Sequence, residues 1–184
     1  MKDNFNSSLG FVLHHECVYA PGHEGDSQFV VSENVPGDTG GLTKFGIDAA
    51  SHPGVDIGGL TLDEATALYH DGEWAGCRCD DLPEGIDTAA FDCAVNNGTI
   101  VAGLLFQRAL LACGFGVVVD GEMGPATVRA ATACCVQRRQ DLMGELLQLR
   151  RNRYVDIVLH HPADEKFLKG WLARVDDLER FLNS

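Results

Sequence analysis

The segment TLDEATALY, residues 61–69, contains the start signal of a helix followed by an amphipathic helical pattern. Thr61 and Glu64 form a capping box, in which the threonine oxygen and the glutamate carboxylate each bind a backbone amide that a helix leaves unpaired in its first turn. Apolar residues then recur at helical spacing, at Leu62, Ala65, Leu68 and Tyr69. The segment therefore predicts a helix that buries one apolar face.

Similar patterns on both sides of this segment predict a mainly helical chain. Upstream, a short helix capped by Ser8 is expected to end at Glu16, before Pro21 and Gly22. Downstream, we expect helices over about 84–97, over 102–110, from Pro125, over 142–154 and from Asp164. In the last of these helices we expect a buried stripe made of Phe167, Trp171, Val175 and Leu178.

The stretch from Pro21 to Gly59 interrupts the helical pattern. It is rich in glycine, aspartate, serine and proline, with one apolar run at residues 29–31, and this composition predicts loops and a small β-hairpin. We therefore expect a mainly α fold with a small irregular and β-hairpin region near the N-terminus. Polar loops beside a rigid helical body often contain the active site.

The composition limits the class of protein. The chain has 184 residues, of which 45% are hydrophobic and 22% are charged, as in a compact globular protein with a core. A formal charge of -13 argues against a nucleic-acid partner. The first residues are too polar for a secretory signal, so we expect cytoplasmic synthesis without a signal peptide. The lack of a long apolar run argues against stable membrane insertion.

The cysteines do not predict a disulfide framework or a metal site. There are seven of them, and an odd number cannot be fully paired within one chain. Cys77 and Cys79 are separated by one residue, and Cys134 and Cys135 are adjacent, whereas zinc sites usually have a two-residue gap. We expect no bound metal and no cofactor.

Two carboxyl groups stand in contrasting surroundings. Cleavage of a glycosidic bond needs a proton for the leaving oxygen and, in most such enzymes, a second carboxyl group near the anomeric carbon. Glu16 follows an apolar helix face, and apolar surroundings favour a protonated carboxyl group. Asp38 lies in a glycine-rich loop, which favours the ionised form. The contrast fits an acid and an ionised partner, although an acidic residue at a helix end is more often only a surface group.

Segments along nearly the whole chain resemble glycoside hydrolase family 108, the phage and bacterial N-acetylmuramidases. They are, in order, FVLHHE at 11–16, PGDTGGLTKFGI at 36–47, LTLDEATALYHDGEW at 60–74, FDCAVNNG at 91–98, VDGEMGPAT at 119–127 and FLKGWLARV at 167–175. The resemblance implies a lysozyme-like helical fold. It implies a catalytic lobe over residues 1–98 and a helical peptidoglycan-binding lobe over residues 99–184, packed as one compact unit.

The resemblance also implies roles for the catalytic residues. Glu16 matches the catalytic glutamate. Similarity to the wider phage-type lysozymes implies that Asp38 is the base or electrostatic stabiliser and that Thr43 helps to hold the attacking water. The hydroxyl of Thr43 has a structural alternative, which is to cap the turn into Phe45 and Gly46.

The residues implied to bind substrate each have a structural alternative as well. They are Tyr19, Gly41, Phe45, Asp92 and Asn96. Glycines at tight turns are needed wherever φ is positive. Asp92 and Asn96 lie one helical turn apart, so they share a face that can either bind a saccharide or form local hydrogen bonds.

The sequence departs from the family pattern around the glutamate. Cys17 and Val18 occupy the positions where two glycines usually follow it. The longer segment before Asp38 contains His23-Glu24-Gly25, a second short match to the glutamate motif. We prefer Glu16 to Glu24 because Glu16 follows an apolar helix, whereas Glu24 follows Pro21 and Gly22 in a loop.

We therefore expect a monomeric muramidase that hydrolyses the β-1,4 bond between N-acetylmuramic acid and N-acetylglucosamine in bacterial peptidoglycan strands. A phage endolysin that reaches the cell wall or periplasm after release is the expected context. A non-catalytic peptidoglycan-binding or secretion-activator module is the main alternative. A zinc peptidase is disfavoured, because the histidines do not have peptidase spacing.

Overall fold

The computed structural model describes residues 4–34 and 41–184. Within these ranges the chain forms α-helices α1 (Asn4–Glu16), α2 (Leu62–Tyr69), α3 (Ile86–Asn97), α4 (Thr99–Ala112), α5 (Pro125–His160) and α6 (Glu165–Leu182). Short strands β1 (Glu33–Asn34), β2 (Leu42–Lys44) and β3 (Ile47–Asp48) form an antiparallel sheet in the order β1-β2-β3. The prediction of a mainly helical fold with a small β-hairpin region near the N-terminus is confirmed.

The described chain packs as two compact units. The hairpin unit is Asn6–Gly72, and the helical unit is Glu73–Ser184 together with Asn4 and Phe5. The predicted lobes, residues 1–98 and 99–184, divide the chain at a different position from these units and stay a prediction. Among the described residues, no helix has both the length and the apolar character needed to cross a membrane.

The first helix starts earlier than its sequence pattern suggests. Ser8, the predicted cap, is buried inside α1. The ring of Phe5 lies 5.1 Å from that of Trp74 and 5.9 Å from that of Phe91, between ring centroids. The side chain of Asn4 donates a hydrogen bond of 3.0 Å to Asp87. These contacts order the first turn, and they come from residues far along the chain.

Helix α3 is the centre of the helical unit. Every residue from Ile86 to Ala94 is buried, while α4 and α5 pack against α3 and α6 packs against α5. Asp92 of α3 is fully buried, and its carboxylate forms ion pairs with Arg150 of α5 and Arg174 of α6. A buried charge is tolerated only with such partners, so this cluster ties three helices together.

The C-terminal helices follow the prediction in one respect and differ from it in another. The two helices expected after Pro125 are both present within α5, where they meet at a kink at Arg138, whose backbone is non-helical, with φ -144 and ψ 39. In α6, Val175 and Leu178 are buried as expected, but Phe167 is 47% exposed. Trp171 is half-buried, so the prediction of a fully buried stripe was wrong at Phe167 and at Trp171.

The VDGEMGPAT segment contains a turn that hydrogen bonds to a side chain of α4 hold in place. The buried side chain of Gln107 accepts hydrogen bonds from the amides of Asp120 and Gly121 and donates one to the carboxylate of Asp120. A Cβ atom at Gly103 would lie 2.1 Å from the carbonyl oxygen of Gly121. Glycine is therefore required at this point of α4.

Candidate active site

Glu16 is the last residue of α1 and is half-buried. In the helix before it, Leu9, Phe11 and Val12 are buried. The backbone amide of Cys17 still donates to the carbonyl of Leu13, so the helical hydrogen bonding continues past Glu16. The predicted location of Glu16 at a helix end is confirmed.

The tip of the β2–β3 hairpin lies directly against Glu16. Phe45 and Gly46 form a two-residue turn, and both have positive φ, 55° and 79°, as a type I′ hairpin turn requires. A Cβ atom at Gly46 would lie 2.6 Å from Cβ and 3.0 Å from Cγ of Glu16. Only glycine allows this approach, so Gly46 sets the position of the hairpin relative to Glu16.

Tyr69 of α2 holds the hairpin tip from the other side. Its buried hydroxyl donates a hydrogen bond of 2.8 Å to the carbonyl oxygen of Phe45. The same hydroxyl oxygen would be 2.7 Å from a Cβ atom at Gly46. Thus the end of α1, the hairpin turn and the end of α2 meet at Gly46.

Thr43 lies in the strand that leads to this turn, between two acidic neighbours. It pairs with Glu33 of β1 and with Asp48 of β3. Directly paired residues of antiparallel strands place their side chains on the same face of the sheet. Glu33, Thr43 and Asp48 therefore form one polar row. The sequence does not predict this row, because the register of such short strands cannot be read from it.

The carboxylate of Asp48 is ionised in this row. Partial burial by itself would raise its pKa, but hydrogen bonds from Ser51 and Ala50, and the nearby His52, outweigh this effect and hold the pKa below its usual value. Asp38, the predicted ionised partner of Glu16, lies outside the described residues. Its role stays a prediction.

Tyr19 lies three residues after Glu16, on the chain segment that follows α1. It is half-buried and pairs with Val30 through an isolated β-bridge. Its hydroxyl and the thiol of Cys17 form a hydrogen bond, and burial is the largest of the effects that raise the pKa of Cys17 to about 11. The thiol of Cys17 is therefore protonated at neutral pH. Substrate binding by Tyr19 stays a prediction.

Glu24, the rival acid, has very different surroundings. It is exposed, and its side chain accepts a hydrogen bond from the amide of Gly22. Hydrogen bonds from its own amide and from that of Gly22 hold the pKa of Glu24 below its usual value. The loop itself is closed by the hydrogen bond from Ala20 to Phe29. An ionised, exposed carboxylate is poorly suited to donate a proton near neutral pH.

Two residues predicted to bind substrate have structural positions in the hairpin. Phe45 is only 3% exposed, so its ring has no face open to a sugar. Gly41 has φ 76°, a conformation that accounts for glycine without a ligand.

Asp92 and Asn96 lie in the helical unit. Asp92 has no exposed surface, and its carboxylate forms ion pairs with Arg150 and Arg174. Its role is therefore structural, and the prediction that it binds substrate was wrong. The side-chain oxygen of Asn96 accepts a hydrogen bond from the hydroxyl of Tyr154. This bond connects α3 to α5, so Asn96 has a structural contact, although not the local hydrogen bond that the sequence predicts as the alternative.

No group of three or more histidine, cysteine, aspartate or glutamate side chains is arranged to hold a metal ion within the ranges 4–34 and 41–184. The cysteines of the same ranges are all free thiols.

Two sequence families match consecutive parts of the chain. Glycosyl hydrolase 108 matches residues 18–98, and a family described as a predicted peptidoglycan domain matches residues 101–176. Among solved structures, the chain is similar to the SagA protein of Brucella abortus, with a TM-score of 0.77 and 25% identity over 100% of this chain and 96% of that chain. No curated protein matches the sequence.

The first of these matches has a bearing on the two candidate acids. It begins at residue 18, after Glu16 and before Glu24. The choice of Glu16 therefore depends on the position of its side chain at the helix end and hairpin turn.

Proposed function

Because residues 18–98 match glycosyl hydrolase family 108, we propose that the chain is an N-acetylmuramidase. This match and the adjoining peptidoglycan domain support a lysozyme-like glycoside hydrolase that degrades peptidoglycan. The proposal concerns the bond, which we take to be the β-1,4 linkage from N-acetylmuramic acid to N-acetylglucosamine, and the residues that cleave it.

The observation that carries the proposal is the contact of Glu16 with the hairpin turn. The end of α1 presents a half-buried carboxyl group where the glycine of the turn comes within van der Waals distance of its side chain. A carboxyl group held between a helix end and a rigid turn has few orientations, and orientation is a large part of the rate that an enzyme provides.

In the proposed reaction, Glu16 donates its proton to the glycosidic oxygen as the bond to the anomeric carbon breaks. Positive charge develops on the sugar ring, and a water molecule positioned near Thr43 attacks the anomeric carbon. Asp38 either accepts the proton of this water or stabilises the positive charge. Glu33 and Asp48 flank Thr43 in the sheet, so they are the alternative carboxylates for this second role.

The test is to digest purified sacculi and to identify the new chain ends by mass spectrometry. We expect reducing muramic acid ends. New reducing glucosamine ends would contradict the proposed bond, and new free amino groups would indicate a peptidase. If sacculi bind the protein but remain uncut, the non-catalytic module would be the correct interpretation.

The second carboxylate is identified by three further variants, Asp38→Asn, Asp48→Asn and Glu33→Gln. We expect kcat to fall strongly only in Asp38→Asn. A comparable fall only in Asp48→Asn or Glu33→Gln would transfer the role to the polar row beside Thr43. Circular dichroism spectra of all three variants show whether the fold is retained.

We also propose that the protein acts as a monomeric phage endolysin, made in the cytoplasm and acting on the wall after release. Production in the bacterial cytoplasm should leave cells intact until the membrane is permeabilised, and sedimentation should give the mass of one chain. Lysis without permeabilisation, or a dimer, would contradict these points.

A further inference from the structure

A polar cavity of about 560 Å³ lies in the helical unit, between α4 and the C-terminal part of α5. Its volume is in the range of small-molecule and peptide sites. Arg108 enters it from α4 and Arg153 from α5, while Leu105 and Ile157 add apolar surface. The cavity lies within the segment that matches the predicted peptidoglycan domain, and none of the residues discussed above as catalytic lines it.

The two arginines differ in how they are held. The Nε atom of Arg153 donates a hydrogen bond of 3.0 Å to the side-chain oxygen of Asn97, so this half-buried guanidinium is oriented by the end of α3. Arg108 is exposed, and its side chain forms no ion pair or hydrogen bond within the described part of the chain. A guanidinium with unused N–H groups is suited to bind a carboxylate through two parallel hydrogen bonds.

The other charged groups of the cavity leave it with a positive balance. Asp156 is the carboxylate in the lining, and His160 and His161 lie at the end of α5. The helix dipole disfavours an anion at that end, so the favourable place for one is near Arg108 and Arg153, further from the helix end. The whole chain has a charge of -13, so this cavity departs from the general charge of the protein.

We propose that this cavity binds a free carboxylate of the peptidoglycan stem peptide. The inference rests on peptidoglycan being the substrate and deepens the proposed function. Guanidinium groups next to leucine and isoleucine side chains match an amino acid that has both a carboxylate and an aliphatic part. Inorganic phosphate would use the charge and leave the apolar surface without a partner. The cavity would thus hold the peptide while the glycan is cut elsewhere.

The test uses full-length Glu16→Gln protein and calorimetry with the tetrapeptide L-alanyl-γ-D-glutamyl-meso-diaminopimelyl-D-alanine. We expect binding that weakens about tenfold in Arg108→Gln and in Arg153→Gln, as for the loss of a hydrogen bond to a charged group. The peptide with its carboxylates converted to carboxamides, and inorganic phosphate, should both bind at least tenfold more weakly than the acidic peptide.

Arg129→Gln is the matched control, since Arg129 is an exposed arginine of α5 that does not line the cavity. It should leave the Kd of the tetrapeptide unchanged. Arg108→Gln removes no contact of the described fold, so its melting temperature should equal that of Glu16→Gln alone. Absence of tetrapeptide binding, equal binding of the carboxamide form, equal binding of phosphate, or a Kd that neither cavity variant changes would each overturn the proposal.

Activity measurements separate this inference from the proposed function. With Glu16 restored, Arg108→Gln should cut peptide-free glycan strands at the rate of the unmodified protein but require a higher concentration of intact sacculi for half-maximal rate. Equal effects on both substrates would overturn the cavity proposal while leaving the muramidase intact. No cleavage of either substrate by the unmodified protein would instead refute the proposed muramidase activity. Calorimetry would still show whether the cavity binds the tetrapeptide.

Discussion

At the scale of single residues, the candidate site depends on the absence of a side chain at Gly46. Its φ is 79°, and an added Cβ atom would overlap Glu16 and the hydroxyl of Tyr69. We expect Gly46→Ala to destabilise the fold by more than about 1 kcal/mol, because alanine disfavours positive φ. Activity should fall on the order of tenfold to a hundredfold, since the hairpin must move away from Glu16.

Gly10→Ala is the control for this substitution. Gly10 is an exposed residue within α1, with open space around its Cβ position. Replacing a glycine inside a helix should stabilise the protein by about 0.5–1 kcal/mol and leave activity unchanged. Denaturant titration and a turbidity assay on sacculi measure both effects. Full activity in Gly46→Ala would show that contact with the hairpin turn does not position Glu16.

At the scale of elements, α2 is the clearest case of a structure specified locally. Its capping box is present as predicted, with the hydroxyl of Thr61 accepting from the amide of Glu64 and the carboxylate of Glu64 accepting from the amide of Thr61. We expect Thr61→Ala to lower the free energy of unfolding by about 1 kcal/mol. The measurement is the midpoint of urea denaturation.

Thr66→Ala provides the comparison within the same helix, because Thr66 lies in the middle of α2 and does not cap it. Alanine has the higher helix propensity, so this variant should be neutral or slightly more stable. A larger loss in Thr66→Ala than in Thr61→Ala would mean that packing, and not the cap, determines the stability of α2.

Other elements could not be predicted from the sequence because distant contacts decide them. The first turn of α1 depends on Phe5 packing against Trp74 and Phe91, and no local pattern reveals this. The location of Glu16 at a helix end was predictable from the apolar run before it and the Pro21-Gly22 pair after it. The polar row beside Thr43 was not, because it depends on the register of strands that are two and three residues long.

At the scale of the whole molecule, one buried charge cluster is expected to dominate the acid stability of the helical unit. Burial alone would raise the pKa of Asp92, but Arg150 and Arg174 outweigh it and hold the pKa below its usual value. A lowered pKa in the folded state stabilises the protein above the unfolded value of about 3.9, and this contribution is lost as the pH falls below that value.

We therefore expect Asp92→Asn to lose about 3–5 kcal/mol of stability at neutral pH, since two buried guanidinium groups lose their counter-ion. The difference from the unmodified protein should stay constant down to about pH 4 and narrow below it. Asp176→Asn, which removes an exposed partner of Arg151, should cost less than about 1 kcal/mol. A pH-independent difference for Asp92→Asn would contradict an ionised Asp92.

The most direct test of the account compares Glu16→Gln with Glu24→Gln on purified sacculi. Both substitutions replace a carboxyl group by an amide of similar size, and only Glu16 contacts the hairpin turn. We expect Glu16→Gln to lower kcat by a factor of about 100 or more while Glu24→Gln stays within about twofold of the unmodified enzyme. Retained activity in Glu16→Gln, with activity lost in Glu24→Gln, would contradict the central claim.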